Sequence, residues 1–305
     1  MNLANDIRKN FSDEFLRIFS AAGKEAARHK SSAALVGGVV RDVILKKPVK
    51  EADIMFDPPA GPIVEALAKA FKAETVSHPI FLTFTLKFPS GTKVDLVRAR
   101  EEKYPKPAAL PLVRPSRLSE DLRRRDFTVN AMACLLDAEK FGEVLDPFNG
   151  RADLKAKKIR ILHSKSFEDD PTRVFRAARF AGRLDYQLES ETAATLRRTI
   201  AGGFLEYLSP VRRRHEFEAI LKEADPVPAL RLLESWGALA AIHRVWKKMA
   251  EGFTEALKSE EGESDNRWID RLALWLKPLG AEKARAVLND LAFERNVKRL
   301  VLSKI

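Results

Sequence analysis

The stretch AALVGGVVRDVILKKPVKEADIMFD, residues 33–57, decides how this chain is read. Leu35 and Val36 close an apolar run that Gly37 and Gly38 break, and residues 39–45 can then wind a short helix. The first N–H groups of such a helix lack partners, and its start favours negative charge. Two glycines let a phosphate come close to the backbone. After a basic turn comes a second apolar strand carrying Glu51 and Asp53, two residues apart, so both side chains leave by one face. Two carboxylates with no base between them are costly to bury unless a cation joins them. Mg²⁺ suits that position, because it takes oxygen ligands and shares them with substrate phosphates. A phosphate cradle beside a carboxylate pair points to metal-assisted phosphoryl or nucleotidyl transfer. Each half alone has a plainer reading, a simple turn and a solvated strand face. Their spacing brings the functional reading level with the plain one.

The whole chain widens that reading. At 305 residues it is long enough for a full core and for two or more domains. A hydrophobic content of 45% and a charged content of 32% describe a soluble globular protein, and no apolar run approaches the length of a membrane span. The formal charge of +11 points away from small neutral substrates and toward a polyanion, most simply nucleic acid; a generally basic surface is the alternative. Cys134 is the only cysteine, which excludes an intrachain disulfide framework and a multi-thiolate zinc site. The polar start MNLANDIRKNFSDEF lacks the apolar core of a signal peptide, so the expected location is the cytoplasm.

Residues 2–30 read as one amphipathic helix or a helix pair, with Phe11, Phe15, Leu16, Ile18 and Phe19 on the apolar side. IVEALAKAF (63–71) is a second amphipathic helix. Strand-like runs follow at 74–78, 82–88 and 93–99, and PSGT (89–92) joins the last two as a hairpin. Asp95 lies on the outgoing hairpin strand. If that strand neighbours the Glu51/Asp53 strand, Asp95 becomes a third carboxylate for the same cation; taken alone it is a surface residue. Residues 104–115 hold four prolines and must be extended and irregular. In SEDLRRRDFTVNAMACLL, Asp126, Thr128 and Asn130 alternate with Phe127, Val129 and Ala131, as on one side of an extended run. A carboxylate and an amide there can hydrogen-bond a ribose while Arg125 reaches a phosphate; an exposed strand face fits the spacing equally. FGEVLD (141–146) completes a strand and PFNGR turns the chain.

From residue 152 the pattern becomes almost wholly helical, with a boundary near Gly150. In DDPTRVFRAARF (169–180), Asp170 and Pro171 suit a helix start, and Arg173, Arg176 and Arg179 recur every three residues. A basic solvated stripe is the plain reading. The chemical one is base selection: cytosine and adenine both offer an exocyclic amino donor beside a ring-nitrogen acceptor. Asp170 would accept from the first and Arg173 donate to the second, so C and A are taken and U and G refused. A second basic helix start follows at Arg212–Arg214, EEGESDN (260–266) reads as an acidic loop, and two more helices are expected after it.

LVGGVVRD with EAD, RRDFTVNAMA, DPFNGRADL with IR, and DDPTRVFRAARF closely resemble the bacterial tRNA nucleotidyltransferase/poly(A) polymerase family. That family includes the class II CCA-adding enzymes and their separate CC-adding and A-adding relatives; PAALP, DDPTR and LLESWGAL are most similar to the latter subgroup. The likeness runs from about residue 33 to 246, with five motifs in order. It implies an α+β chain with an N-terminal helix over 1–30 and a nucleotidyltransferase (polymerase-β-like) mixed-sheet head over 31–150. An all-helical neck and body over 151–245 and a tail over 246–305 would follow. It also implies Mg²⁺ on Glu51 and Asp53, with Asp95 completing the catalytic carboxylates, and Gly37, Gly38 and Arg41 at the nucleotide triphosphate. Arg125, Asp126 and Asn130 match the ribose- and phosphate-binding segment. Asp170 and Arg173 match the base-selecting pair, and Arg176 and Arg179 the adjoining nucleotide-binding arginines. The implied partners are CTP and/or ATP and the acceptor arm and 3′ end of tRNA, with no membrane. The chain departs from the pattern in having Glu51 where aspartate is usual, Asp169 where many relatives have glutamate, and a short tail.

Addition of C and/or A to tRNA is the activity this implies. Poly(A) addition to general RNA ends, or an RNA-binding member whose metal site Glu51 has impaired, are the alternatives.

Overall fold

The computed structural model describes residues 1–49, 51–78, 82–258 and 266–305. The chain divides into two compact units, the first made of residues 1–105, 110–156 and 160–162, the second of 106–109, 157–159 and 163–305.

The first unit opens with a helix pair, α1 (Ala4–Asn10) and α2 (Asp13–Arg28). The break falls at Phe11, whose extended backbone turns its ring edge-on to Phe15 and Phe19, with centroids 5.4 and 4.9 Å away. Then come β1 (Ala33–Val36), α3 (Gly38–Ile44), β2 (Asp53–Phe56), α4 (Gly61–Phe71), β3 (Glu74–His78), β4 (Thr83–Lys87), β5 (Lys93–Arg98), β6 (Arg100–Lys103), β7 (Leu112–Pro115), α5 (Leu118–Arg123), β8 (Ala133–Leu135), β9 (Val144–Leu145) and α6 (Gly150–Lys155). Seven strands form one sheet in the order β3-β4-β5-β2-β1-β8-β9, and β6 and β7 form a separate hairpin. Every neighbouring pair in the large sheet is antiparallel except β2 and β5, which run parallel. The PSGT turn closes as its spacing predicts, with the Phe88 N–H donating to the Thr92 carbonyl at 2.9 Å.

β1 is buried along its whole length, as a central strand covered on both faces must be. Helix α2 buries Ile18, Phe19, Ala22 and Ala26, the apolar stripe its sequence pattern calls for. At Gly23 the helix approaches the end of β8 so closely that a Cβ would collide with the Leu136 carbonyl.

The segment 126–131 departs from the sequence expectation. It is not an extended run with one polar side: residues Thr128–Asn130 form a 3₁₀ turn, and all six side chains are buried. The cause is local. Asp126 accepts from its following amide, that of Phe127, at 2.8 Å and from the Asn130 amide group at 3.0 Å, while the Ala131 N–H returns to Thr128. Side-chain acceptors so close to the main chain compete with strand pairing and favour a turn. The strand expected over 141–146 is also shorter, reduced to β9.

The second unit pairs two short parallel strands, β10 (Lys158–Ile159) and β11 (Gln187–Leu188), beside helices α7 (Ser166–Asp169), α8 (Thr172–Leu184), α9 (Ser190–Ala201), α10 (Pro210–Leu221), α11 (Val227–Ser235), α12 (Leu239–Ile242), α13 (Phe253–Leu257), α14 (Arg267–Leu276), α15 (Gly280–Asp290) and α16 (Arg295–Leu302). An aromatic cluster holds its core, with Phe217 4.6 Å from Trp246 and Phe253 5.1 Å from Trp275 between centroids. Of the expected acidic loop, 260–265 lies outside the described residues. Among the described residues no helix is long and apolar enough to cross a membrane.

Candidate active site

In the first unit, parallel pairing of β2 and β5 places Asp53 directly opposite Asp95. Parallel strands lie about 4.8 Å apart, so the two carboxylates are neighbours on one face of the sheet. Glu51 sits just ahead of β2 rather than on it, but the ladder reaches back far enough for the Asp95 N–H to bond the Ala52 carbonyl at 3.1 Å. Ala52 is buried between an exposed Glu51 and a half-buried Asp53, which keeps the two-residue alternation.

The electrostatics follow from that geometry. Burial first, then the Asp95 and Glu51 charges, push the Asp53 carboxyl up to about 6, against the pull of Arg125. Asp95 is the more open of the pair and accepts the Thr85 hydroxyl at 2.6 Å. Among the described residues no three His, Cys, Asp or Glu side chains form a ready-made metal cage. Mg²⁺ itself takes only one or two carboxylates and draws its other ligands from water and substrate phosphates. The donor set is oxygen-only, and burial with the mutual repulsion of the acids outweighs the pull of Arg125, so the residues present fit a hard divalent ion.

The glycine turn lies between β1 and α3. Gly37 has φ +74° and ψ −133°, a conformation open to glycine alone, and a Cβ there would sit 2.5 Å from Nη1 of Arg125. The guanidinium of Arg125 is thus laid against the turn. Arg41 departs from its expected place at a triphosphate: it is 2% exposed. Its Nε and Nη2 form a fork on Asp42 at 2.9 and 2.8 Å, and Nη1 donates to Asn130 Oδ1 at 2.6 Å. Asn130 in turn donates to Asp126. Arg41, Asn130 and Asp126 therefore form a buried chain that fixes the floor beneath the turn, with the Arg41 Nη2 3.3 Å from where a Gly38 Cβ would stand.

The second unit holds the remaining candidates. Asp170 sits one residue further from the helix than expected, since Pro171 is the N-cap of α8. It still caps the helix, its Oδ1 accepting the Thr172 N–H at 3.1 Å and the Thr172 hydroxyl at 2.6 Å. Arg173 is 4% exposed and donates to the Ser166 hydroxyl at 2.6 Å. The arginines of α8 are not a solvated stripe. Arg179 is half-buried and pairs with Glu223, and Arg176, Arg179 and Arg183 each lie within 5.5 Å of the Phe180 ring centroid. Burial, then the Arg176 charge, lowers the proton affinity of Arg179 against the pull of Glu216 and Glu223.

Two residues on α10 were not singled out from sequence. Arg212 donates to Asp170 Oδ1 at 2.6 Å and to the Ala108 carbonyl at 2.6 Å. Glu216 is half-buried, with its Oε2 buried and lacking a hydrogen-bond partner; burial raises its carboxyl, and Arg176 and Arg179 pull it back. The one available signal was an acid inside the basic run RRRHEFE. Cys134 is a core residue of β8 whose thiol burial pushes up to about 12, which removes it as a nucleophile.

Residues 33–160 match the family model described as the poly A polymerase head domain. The chain is 34% identical over 277 residues to an A-adding tRNA nucleotidyltransferase of Halalkalibacterium halodurans, covering 89% of this chain and 64% of that protein. It is 42% identical to a CC-adding tRNA nucleotidyltransferase of Deinococcus radiodurans, covering 67% of this chain and 54% of that protein. The solved structure of a Thermotoga maritima CCA-adding enzyme complexed with tRNA superposes with a TM-score of 0.78 at 28% identity, covering 99% of this chain and 72% of that one. The chain thus spans roughly half to two thirds of these two curated relatives.

Proposed function

Because this chain belongs to the tRNA nucleotidyltransferase/poly(A) polymerase family, we propose that it is a template-independent nucleotidyltransferase adding C and/or A residues to the 3′ end of tRNA. The observation that carries this reading is the half-buried Asp53 in register with Asp95, beside an arginine laid against a glycine turn. Families of this kind use divalent metal ions, and we assign Mg²⁺ here, held by Glu51 and Asp53 with Asp95 in support. Bound there, the ion supplies Lewis acidity toward the primer 3′-hydroxyl and neutralises charge on the departing pyrophosphate.

The chain's own groups do the rest. The Gly37–Gly38 backbone and Arg125 take the triphosphate charge, while Arg41 holds the turn's floor through Asn130. Asp126 and Asn130, bonded to each other on the buried floor, support the ribose side of the site from beneath. Asp170 selects C and A through the carboxylate oxygen that Thr172 and Arg212 leave open, with Arg173 as its partner and Arg176 and Arg179 beside it. The helical body and tail, residues 151–305, hold the acceptor arm by shape and backbone charge, in keeping with the net +11. The protein works in the cytoplasm.

The test is incubation with tRNA lacking CCA, tRNA ending in CC, or an unrelated oligoribonucleotide, plus labelled CTP or ATP and Mg²⁺. Extension of tRNA by one to three residues supports the proposal, and the ladder length tells A-, CC- and CCA-addition apart. Long A tracts on the unrelated RNA replace it with poly(A) synthesis, and no incorporation at all replaces it with RNA binding.

A further inference from the structure

We propose that Asp121 is the positioning residue for Arg125, the group that holds its guanidinium at the glycine turn; this rests on the reading of Arg125 as a phosphate ligand. Asp121 lies on α5 and its side chain is fully buried. Its two oxygens are divided between two tasks. Oδ1 accepts from Arg124 at 2.8 Å and from the Arg100 backbone N–H at 3.3 Å, and Arg124 continues to Glu102 at 2.8 Å. Oδ2 accepts from Arg125 Nη2 at 3.0 Å.

Arg125 has few other restraints. Its Nε is buried without a hydrogen-bond partner, and its Nη1 reaches the Asn130 carbonyl only at 3.4 Å. The charge-assisted bond to Asp121 is therefore its strongest attachment. That bond enters through Nη2 and leaves Nη1 against Gly37, so the carboxylate holds the guanidinium from behind while its other edge faces the turn. The spacing is helical: Asp121 precedes Arg125 by four residues, and α5 ends at Arg123. The first residue of α5 is fixed in its turn by Asp57, at the end of β2, which accepts the Leu118 N–H at 2.7 Å. The strand that carries Asp53 thus also sets where Asp121 stands.

The experiment is a double-mutant cycle on ATP affinity in the presence of Mg²⁺, read by calorimetry on the full chain. Single variants Asp121→Asn and Arg125→Ala and the double variant are compared, with KM for ATP and kcat measured alongside. Asp121→Asn should weaken ATP binding and raise KM by about tenfold where Arg125 is present, and by less than about twofold in the Arg125→Ala background. Equal losses in both backgrounds, or no loss in either, overturn the positioning role. If Arg125→Ala itself leaves ATP affinity unchanged, the phosphate-ligand reading has failed and this inference falls with it. Should Asp121→Asn not fold, Asp121→Glu keeps the charge and moves it by one methylene; the same cycle then applies, and the same losses support or overturn the role.

Discussion

Asp53 and Asp95 face each other across the one parallel strand pair of the large sheet, and their mutual repulsion helps hold a proton on Asp53 up to a pH of about 6. The proposed cation site rests on these two acids standing side by side. That arrangement has measurable consequences for stability and for catalysis.

Stability without metal should fall as pH rises. The folded pKa of Asp53 lies above its ordinary 3.8, so the folded state binds more protons between 3.8 and about 6. The favourable contribution is complete below pH 4 and lost as pH passes 6. At about 1.4 kcal/mol per pH unit over that window, the loss approaches ~3 kcal/mol. Asp57, Asp137 and Glu216 are raised as well, so chemical denaturation in EDTA should show a steeper fall in the wild type than in Asp53→Asn rather than a fall in the wild type alone. An identical slope in both assigns the titration elsewhere.

Glu51 tests how much the first carboxylate can vary. Glu51→Asp restores the shorter acid and should keep activity within a few-fold, whereas Glu51→Gln should lower kcat by roughly 10²-fold or more, the scale of removing one charge-stabilising group. Steady-state extension kinetics distinguish the two. Full activity in Glu51→Gln removes it from the metal site.

Exchanging Asp170 and Arg173 reverses the donor and acceptor order offered to a base. Single-nucleotide extension with each of the four triphosphates should move preference from CTP or ATP toward UTP or GTP by at least about tenfold. The Arg212 bond to Asp170 and the Ser166 bond to Arg173 would be lost in the exchange, so total activity should also drop. An unaltered preference at reduced rate means the pair holds the fold without reading the base.

Gly23 and Gly61 form a contrast in stability. Gly23→Ala drives a methyl into the Leu136 carbonyl and should cost about 1–3 kcal/mol, while nothing lies within 4 Å of a Gly61 Cβ. Gly61→Ala, at the start of α4, should be neutral or stabilising by up to about 1 kcal/mol. Denaturant midpoints measure both.

Much of this was legible in the sequence, and the exceptions share a cause. The glycine break, the E-x-D pair and the PSGT hairpin are local signals, but placing Asp95 beside Asp53 depended on the parallel pairing of β2 with β5, which sequence offered only as a condition. Segment 126–131 reads as alternating because its hydrophobic period is two; the bonds from Asp126 to its own neighbours bend it into a turn, and periodicity does not register those. The solvated-stripe reading of the α8 arginines stood beside the nucleotide-binding one because their acids, Glu216 and Glu223, come from beyond that helix, some 40 residues away. Arg41 is of the same kind, adjacent to a motif and fixed by a contact to Asn130 that only the fold supplies.

Whether the Asp53 carboxylate sustains nucleotidyl transfer to tRNA is decided by comparing wild type with Asp53→Ala. Incorporation of labelled ATP or CTP into tRNA lacking its CCA end and into tRNA ending in CC is followed, with ATP binding measured on both proteins. The expected result is incorporation by the wild type, none by the variant, and ATP affinity little changed. Incorporation by Asp53→Ala at the wild-type rate would remove the carboxylate from the chemistry.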